Sequence, residues 1–400
     1  MNRLMPFPEG ASQARAVAAA ADEGERLARL QLARSHNVGP RTFLHLLQRF
    51  GSARRAAEAL PELAARGGRG DYAACPREAA EAELSQGVRI GARLVLLGDA
   101  AYPRRLLAID SPPPALWLRG DIEVLTGPTV SIVGARNASA LGLRLARRMA
   151  RELGEAGQIV VSGLARGIDA AAHSAAAETG TVAVLPGGID CLYPPENAKL
   201  AEEIVASGGL LLSETPLGLQ PTSRHFPRRN RLISGLAYAV VLIEAATRSG
   251  SLITARAALD QGREVMACPG APDDPRAGGC NSLIRDGAAL VRSAADVLEA
   301  LAPLRSHGLA EEGAHFSPAP PAPMVPALGP ETAARDADFA EHVLSLIASA
   351  PVEVDELARA AGAEPSRLSL ALLELDLAGR ITLLQGGLVA RSTEEEEAFP

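Results

Sequence analysis

Four arginines surround one phenylalanine in a stretch of eight residues of this 400-residue chain: Arg224, Phe226, Arg228, Arg229 and Arg231. No acidic residue occurs between Thr215 and Ile243. Guanidinium groups neutralise phosphates, and an aromatic face stacks on an unpaired base with a gain of about 1–3 kcal/mol. The pattern therefore favours a single-stranded nucleic acid as ligand. The alternative is that Phe226 closes the edge of a domain while the arginines pair with acids elsewhere.

A second candidate lies at 129–139, where an apolar run ends in Gly134-Ala135-Arg136-Asn137-Ala138-Ser139 before a helical pattern that begins near Leu141. A glycine at a strand end lets a ligand approach the backbone, and the start of a helix offers free N–H groups to an anion. Arg136 and Ser139 add a guanidinium and a hydroxyl group. An ordinary tight turn with a surface arginine would have the same sequence.

Groups suited to acid–base, nucleophilic or metal chemistry are sparse. Asp169 and His173 are four residues apart on one predicted helix face, where capping and bracing of the helix is the simpler interpretation. Serine, histidine and aspartate form no set with a convincing nucleophile. The four cysteines, at positions 75, 191, 268 and 280, lack the paired spacing of a metal site and are typical of reduced thiols. The sequence therefore predicts no catalytic residue, no metal and no cofactor.

Strand-like apolar runs alternate with helical patterns after position 129. The runs are 159–161, 181–185, 210–213, 238–243, 264–267 and 289–291. Such alternation predicts right-handed crossovers and a mostly parallel sheet covered on both faces. Ligands of these folds bind outside the carboxyl ends of the strands. The chain places Ser162-Gly163, Arg166 and Gly187-Gly188 at those ends, so all five residues are candidates for binding backbone phosphates.

The net charge of −7 is unevenly distributed. Residues 1–126 carry +3 and residues 127–295 carry +2, whereas residues 296–400 carry −12. The central part can therefore still present a positive surface. No apolar run approaches the roughly 20 residues that span a bilayer, and the N-terminus lacks a secretory pattern. We expect a cytoplasmic protein that does not enter a membrane.

Composition divides the chain into three predicted domains and a linker. We expect residues 26–98 to form a helical domain, in which a glycine turn between short helices is typical of helix-hairpin-helix modules, and residues 99–302 to form an extended Rossmann-like domain. Residues 303–335 form a proline-rich linker, in which 317–330 holds six prolines. Residues 336–392 have the helix and strand order of a winged helix. We expect residues 1 to about 25 to be poorly ordered and the acidic run 394–397 to be a solvated tail.

Six ordered motifs in the central domain resemble those of the DNA-processing protein A family, also called Smf. They are Val133-Gly134-Ala135-Arg136, Ser162-Gly163 with Gly167-Ile168-Asp169, Leu185-Pro186-Gly187-Gly188-Ile189-Asp190, Tyr193-Pro194-Pro195-Glu196-Asn197, His225-Phe226-Pro227-Arg228-Arg229-Asn230-Arg231 and Ser249-Gly250-Ser251-Leu252-Ile253-Thr254. The resemblance implies that residues 26–98 are a sterile-alpha-motif-like domain and that the protein is a non-catalytic protein of natural transformation and competence. It would protect incoming single-stranded DNA, form homodimers and help to load the RecA recombinase in DNA recombination.

The resemblance and the residue patterns together give a predicted site. The DNA-binding candidates are Gly134, Arg136, Ser139, Ser162, Gly163, Arg166, Gly187, Gly188, Phe226, Arg228, Arg229, Asn230 and Arg231. Phe226 would stack a base while the arginines supply charge. Leu283 and Ile284, on the last predicted helix of the sheet, are the candidates for a dimer interface. Because the winged helix is acidic, contact with protein is the expected role of that domain.

Two other functions fit parts of the sequence. The central fold also resembles that of cytokinin-activating phosphoribohydrolases, but those enzymes need Gly-Gly-x-Gly-Thr where this chain has Gly187-Gly188-Ile189-Asp190. A dinucleotide enzyme would place an acid at the end of its second strand, where Ser162-Gly163 stands. A winged-helix transcription regulator is the other alternative, and the charge of −12 on the C-terminal quarter opposes it.

Overall fold

The structure, a computed structural model, describes residues 23–311, 330–348 and 350–392. The expectations for residues 1–22, for most of the proline-rich segment and for the run 394–397 lie outside these ranges. The chain divides into two compact units. One contains residues 1–82, 96–100 and 317–400, and the other contains residues 83–95 and 101–316.

The second unit is built on a nine-stranded sheet. Its strands are β1 (Arg93–Leu96), β2 (Ala115–Gly120), β3 (Thr129–Gly134), β4 (Ile159–Ser162), β5 (Thr181–Val184), β6 (Leu210–Ser213), β7 (Ala239–Ile243), β8 (Glu264–Ala267) and β9 (Ala289–Leu290). Their spatial order is β1-β2-β6-β5-β4-β3-β7-β8-β9. Strands β3 to β9 pair in parallel, and β2 runs antiparallel to β6. The predicted mostly parallel α/β fold is therefore confirmed.

Helices cover the sheet on both faces. They are α4 (Arg77–Arg89), α5 (Arg104–Leu107), α6 (Ala140–Glu155), α7 (Ile168–Ala176), α8 (Ala198–Ala206), α9 (His225–Gly235), α10 (Ser251–Asp260), α11 (Gly278–Arg285) and α12 (Ala294–Glu311). One core cluster joins β3, β4, β7 and β8 to α6, α7 and α12, and another lies around Trp117. Every residue of β5, β6 and β7 is buried, as central strands of a covered sheet should be.

The strand order reverses direction at β3. From β3 the chain proceeds through β4, β5 and β6 towards one edge, and then returns to place β7 on the other side of β3. The loops that follow β3 and β7 consequently flank this reversal point at the carboxyl ends of the strands. In open α/β sheets this reversal point is where ligands bind.

The other unit begins with three helices, α1 (Glu23–Arg34), α2 (Pro40–Phe50) and α3 (Ala53–Arg66). These three helices precede α4 in the chain. Ser52 caps α3 by accepting a hydrogen bond from the Arg55 amide, and Gly51 ends α2 in the left-handed conformation that glycine adopts readily. Asn37, at φ 56°, lies in the short turn between α1 and α2.

The winged-helix part of this unit has helices α13 (Pro330–Leu346), α14 (Val354–Ala361) and α15 (Pro365–Leu377) with strands β10 (Val352–Glu353), β11 (Ile381–Leu384) and β12 (Leu388–Arg391). Strand β12 pairs antiparallel with both β10 and β11. The two-residue β10 was not predicted. Helix α12 continues to Glu311 and α13 begins at Pro330, so the segment predicted as linker, 303–335, is helical where the structure describes it. The predicted N-terminal helical and C-terminal winged-helix domains are both present.

The winged helix packs against the N-terminal helices within this unit. The Thr42 hydroxyl donates a hydrogen bond of 2.6 Å to Asp376, and the Asn37 amide donates one of 3.1 Å to the Leu377 carbonyl. Gly67 lies so close to the α15 backbone that an added Cβ would be 2.0 Å from the Glu374 carbonyl oxygen. The turn between α1 and α2 is thus committed to an internal contact.

None of the described helices is long and apolar enough to cross a lipid bilayer.

Candidate functional site

The loop after β3 is fixed by Glu244, the acidic residue that directly follows β7. The Ser139 amide donates a 2.8 Å hydrogen bond to the Glu244 carboxylate, and the Ser139 hydroxyl donates a second. The same hydroxyl caps α6 by accepting from the Gly142 amide at 3.0 Å. Glu244 follows β7 and has φ 53°, a conformation that side chains rarely adopt. The predicted hydroxyl ligand Ser139 is therefore fully engaged within the protein.

Two glycines allow this brace to form. A Cβ added to Gly142 would lie 2.5 Å from the Glu244 carboxyl carbon, and one added to Gly134 would lie 1.9 Å from the Ile243 carbonyl oxygen. Gly134 is required by the close approach of β3 and β7, whether or not a ligand binds. The start of α6 consequently has a carboxylate of the protein where a bound anion would otherwise accept hydrogen bonds.

An exposed arginine and two aromatic rings meet beside this loop. The Arg136 guanidinium lies over the Phe226 ring, 4.9 Å from its centroid. The Tyr193 ring meets Phe226 edge to face, with centroids 5.5 Å apart and planes at 68°. Arg136 is exposed, Phe226 is half-buried and Tyr193 is 39% exposed. We call this group the Arg136–Phe226–Tyr193 cluster; it offers cationic and aromatic surface together.

Tyr193 belongs to one of the motifs of the sequence but was not among the predicted DNA-binding residues. The signal was present, because an aromatic residue followed by two prolines is held on a restricted backbone. What the sequence lacked was any sign that the turn after β5 comes back to Phe226 at the start of α9.

The arginines of α9 divide into exposed and internal groups. Arg228 is exposed, with its Nε 3.3 Å from a Glu214 oxygen. Arg231 donates to the Ser111 carbonyl at 2.6 Å and pairs with Glu214, so its charge is neutralised inside the fold. Glu214 lies one residue before the acid-free stretch. Of the sequence-predicted arginines on α9, Arg228 is the one that faces solvent.

Arg229 is buried and braces the ends of two strands. Its guanidinium donates 2.6 Å to the Gly163 carbonyl and also donates to the Val184 carbonyl. Burial lowers the pKa of Arg229 to about 10, against the opposing attraction of Asp169. An added Cβ at Gly163 would come within 2.6 Å of the guanidinium, so this glycine makes room for the arginine. Asn230 is also buried; it accepts from Arg229 Nε at 3.3 Å.

The Ser162-Gly163 turn is closed by its own hydrogen bonds. The Ser162 hydroxyl donates 2.6 Å to the Ile132 carbonyl, and the Gly163 amide donates 3.1 Å to Asp169. Burial raises the pKa of Asp169, against the nearby positive charge of Arg229. Burial, followed by repulsion from Arg229, lowers the pKa of His173 to about 3, so that side chain is neutral at ordinary pH. Asp169 and His173 thus brace the fold, and the turn has few donors left for a phosphate.

Gly187 and Gly188 are covered by the segment that follows β6. An added Cβ on Gly187 would lie 2.8 Å from the Pro221 Cδ, and one on Gly188 would lie 2.6 Å from the Pro216 carbonyl oxygen. The Gly188 amide donates 2.9 Å to the Leu219 carbonyl. Close packing between loops explains the glycines. Arg166 remains exposed and forms an ion pair with Glu196.

A cleft of about 540 Å³ lies between the β3 loop and α7 and α8. Its lining has three cationic side chains, Arg136, Arg147 and Lys199, and two carboxylates, Glu196 and Glu203. Among the described residues, no three or more histidine, cysteine or acidic side chains converge as metal ligands would. Leu283 and Ile284, the predicted dimer residues, are half-buried on α11; the structure of a single chain leaves that prediction open.

The fold and the cleft define a class: a Rossmann-like binding protein with a cationic, aromatic site, joined to a helix-hairpin-helix domain and a winged helix. Residues 93–302 match the family described as DNA recombination-mediator protein A. Residues 23–85 match the DprA-like N-terminal HHH domain, and residues 320–387 match the DprA winged helix domain. The chain therefore belongs to the DprA/Smf family of DNA recombination-mediator proteins, and the resemblance seen in the motifs is confirmed.

Relatives of known name support the same assignment. The chain is 38% identical to Protein Smf of Escherichia coli over 316 residues, which cover 78% of this chain and 81% of the relative. It is 42% identical to the DNA processing protein DprA of Bacillus subtilis over 214 residues, covering 53% and 72%. The crystal structure of DprA from Streptococcus pneumoniae superimposes with a TM-score of 0.56 at 33% identity, covering 70% of this chain and 98% of that one.

Proposed function

We propose that this protein binds single-stranded DNA in the cytoplasm, without altering it, and delivers the strand to the RecA recombinase. In this role it would protect DNA taken up during natural transformation and would act as a homodimer. The observation that carries the proposal is the Arg136–Phe226–Tyr193 cluster at the carboxyl ends of the strands. An exposed ring edge beside a guanidinium can hold an unstacked base and its phosphate at the same time.

The position of each arginine refines the proposed contacts. Arg136, Arg224 and Arg228 are exposed around Phe226 and are assigned to phosphates. Arg229 and Arg231 are assigned a supporting role, because their hydrogen bonds run to backbone carbonyls and to Glu214. Three phosphate contacts predict that log affinity falls with log salt with a slope near −2, at about −0.7 per contact for single strands.

The start of α6 argues against the nucleotide-dependent enzyme. Nucleotide-binding Rossmann folds place a pyrophosphate at the N-terminus of the first helix. Here the Glu244 carboxylate accepts from the Ser139 amide and lies against Gly142 at that position. A bound phosphate would meet a negative charge there. Binding through the arginines of α9 and the β3 loop requires no such approach.

The test is fluorescence anisotropy of the full-length protein on a short oligo-dT across a salt series. Arg136→Ala should make the salt slope shallower by about 0.7 and weaken binding to all sequences alike, because phosphate contacts carry no base information. The matched control is Arg93→Ala, which removes an exposed arginine on β1 at the edge of the sheet. It should leave both the slope and the affinity unchanged.

Phe226→Ala tests the stacking part of the proposal. It should cost about 1–3 kcal/mol, and Phe226→Trp should restore binding because a larger ring still stacks. Since Arg136 rests on the Phe226 ring, the double variant should lose less than the sum of the single losses. Duplex DNA should bind less well throughout, because its bases are already stacked. A folded Arg136→Ala variant with the wild-type salt slope and affinity would refute the proposed site.

Delivery to RecA has a separate test. RecA filament formation is measured on an oligonucleotide already coated with single-strand-binding protein, with and without this protein. The proposal expects faster filament formation with it, and expects Arg136→Ala to lose that acceleration. Equal rates in its presence and absence would remove the mediator role while leaving DNA binding intact.

A further inference from the structure

Helix α6 carries a row of four exposed arginines, Arg144, Arg147, Arg148 and Arg151, which we call the arginine row. Their spacing of three and four residues places them along one side of the helix. The sequence contains no acidic residue between Glu123 and Glu152. The only acids of α6 are Glu152 and Glu155, in its last turn. Like charges at such spacing destabilise a helix by a few tenths of a kcal/mol per pair, which makes the row costly unless it binds something.

The arginine row is left uncompensated by the rest of the fold. In the ranges that the structure describes, no carboxylate forms an ion pair with any of its four members. Arg148 donates 3.2 Å to the Arg292 carbonyl, which is a neutral acceptor. Arg292 itself forms an ion pair with Asp296, and elsewhere Arg119 and Arg166 pair with Glu202 and Glu196. Several other arginines of the chain do pair with acids, whereas the four members of the row lie together without one.

A second cleft, also of about 540 Å³, runs beside the arginine row. The row forms its cationic rim, and the apolar part of its lining is Leu141, Leu145, Cys268, Pro269 and Val291. Leu141 is 65% exposed and supplies apolar surface beside the arginine row. Apolar surface beside guanidinium groups suits a polymer that has both bases and phosphates, since bases stack on arginine planes and rest on apolar side chains.

The two clefts meet at Arg147, which lines both of them. The row therefore begins where the cleft of Arg136 ends. From Arg144 to Arg151 the helix rises about 10 Å, at about 1.5 Å per residue. That length corresponds to about three phosphates at the duplex spacing of about 3.4 Å, and to fewer in an extended strand.

We propose that a single strand held at the Arg136–Phe226–Tyr193 cluster continues across α6, with its phosphates on the arginine row and its bases towards the second cleft. This inference rests on the proposed function and extends it to a longer binding site. Continuity with the first cleft favours a nucleic-acid strand over an acidic polypeptide, because the strand proposed to bind at Arg136 reaches the row at the shared residue Arg147. Glu196 and Glu203 also line the first cleft, so the strand would follow its arginine side.

The experiment compares short and long oligo-dT on full-length protein. The variant is Arg144→Gln with Arg148→Gln and Arg151→Gln, and Arg147 is kept because it lines both clefts. The control is Arg89→Gln with Arg93→Gln and Arg104→Gln, three exposed arginines that line neither cleft. Both variants change the net charge equally, and unfolding curves verify that each is folded.

For wild type we expect a steeper salt slope on the long oligonucleotide than on the short one, by about 1.4 to 2 for two or three added contacts. The row variant should match wild type on the short oligonucleotide but lose most of this added slope on the long one, while the control keeps it. A row variant with the wild-type length dependence overturns the inference. If it also loses binding to a labelled polyglutamate peptide, the row serves an acidic polypeptide instead. Failure of wild type to bind even the short oligonucleotide would refute the proposed function itself.

Discussion

Gly67→Ala should separate the winged helix from the N-terminal helices without disturbing either one. The Gly67 backbone has φ −74° and ψ −2°, which alanine adopts freely, so the substitution brings no strain of its own. The added methyl group, however, would lie 2.0 Å from the Glu374 carbonyl oxygen and 2.9 Å from the Ala378 Cβ. Because the first of these is a backbone atom of α15, no side-chain rotation can relieve the clash.

The size of the effect follows from the contacts that the added methyl group would disturb. Overpacking of this kind costs about 1–3 kcal/mol. The contacts at stake include the Thr42–Asp376 and Asn37–Leu377 hydrogen bonds, each of which contributes about 1 kcal/mol net. A shift of 1–3 kcal/mol changes an equilibrium by about fivefold to more than a hundredfold. We therefore expect the population of the opened state to rise by that factor, although each domain stays folded.

Hydrogen exchange of the full-length protein measures this opening directly. Amides on the facing sides of α3 and α15 should exchange faster in Gly67→Ala, by the factor that corresponds to the lost contact energy. The control is Gly70→Ala, where an added Cβ meets no atom within 4 Å. Wild-type exchange of α15 in the Gly67 variant would show that the two domains do not pack as described.

Three further outcomes are expected. Burial raises the pKa of Asp376 to about 7, against the Thr42 hydrogen bond and Arg41, so the folded state holds a proton that the unfolded chain releases near pH 4. The stability that this group contributes is therefore present in acid and is lost between about pH 4 and pH 7, with a slope approaching 1.4 kcal/mol per pH unit. Unfolding curves of wild type and of Asp376→Asn across that range measure this contribution. Arg229→Leu should destabilise the protein by about 2–5 kcal/mol in chemical unfolding, because it leaves the buried Gly163 and Val184 carbonyls without their donor and removes the positive charge near Asp169. Ile284→Arg should give folded monomers in sedimentation with weaker DNA binding, because it places a charge in the proposed dimer face.

Controls make these outcomes decisive. Asp376→Asn should abolish the part of the stability change between pH 5 and pH 8 that this carboxyl group causes. A variant whose free energy of unfolding changes with pH as much as that of wild type would contradict the assigned pKa. Arg228→Leu, an exposed neighbour of Arg229, should leave stability nearly unchanged. A dimeric Ile284→Arg variant would place the interface elsewhere, and an unfolded one would assign Ile284 to the core.

The sheet was readable from the sequence because its strands are continuous apolar runs. The predicted 181–185 and 264–267 match β5 and β8 to within one residue. A strand buried on both faces needs no polar alternation, so its ends are marked by the first glycine or polar residue. The two-residue β10 carries no such signal, since its pairing with β12 comes from tertiary packing rather than from its own composition.

The functional roles of individual residues were less accessible. The sequence showed four arginines without an acid among them, yet Glu214 neutralises Arg231 from one residue outside that stretch. Gly163 and Gly187 were predicted to contact the ligand because glycine permits close approach. In the structure the group close to Gly163 is the Arg229 guanidinium, and the group close to Gly187 is the Pro221 ring. Which partner comes close to a glycine depends on residues distant in the chain. The arginine row was equally visible in the sequence, but its lack of countercharge becomes evident only in three dimensions.

For the proposed binding of single-stranded DNA, the carboxylate of Glu244 at the start of α6 has a consequence for the size of the ligand. A free nucleotide would place its phosphates at this one position, where the carboxylate repels them. A polymer can avoid the position and gather several weaker contacts at once, which raises its effective local concentration at each. Any small ligand that did bind would compete with the strand by mass action. A site that fills the place of a small anion with its own side chain therefore stays available to long strands.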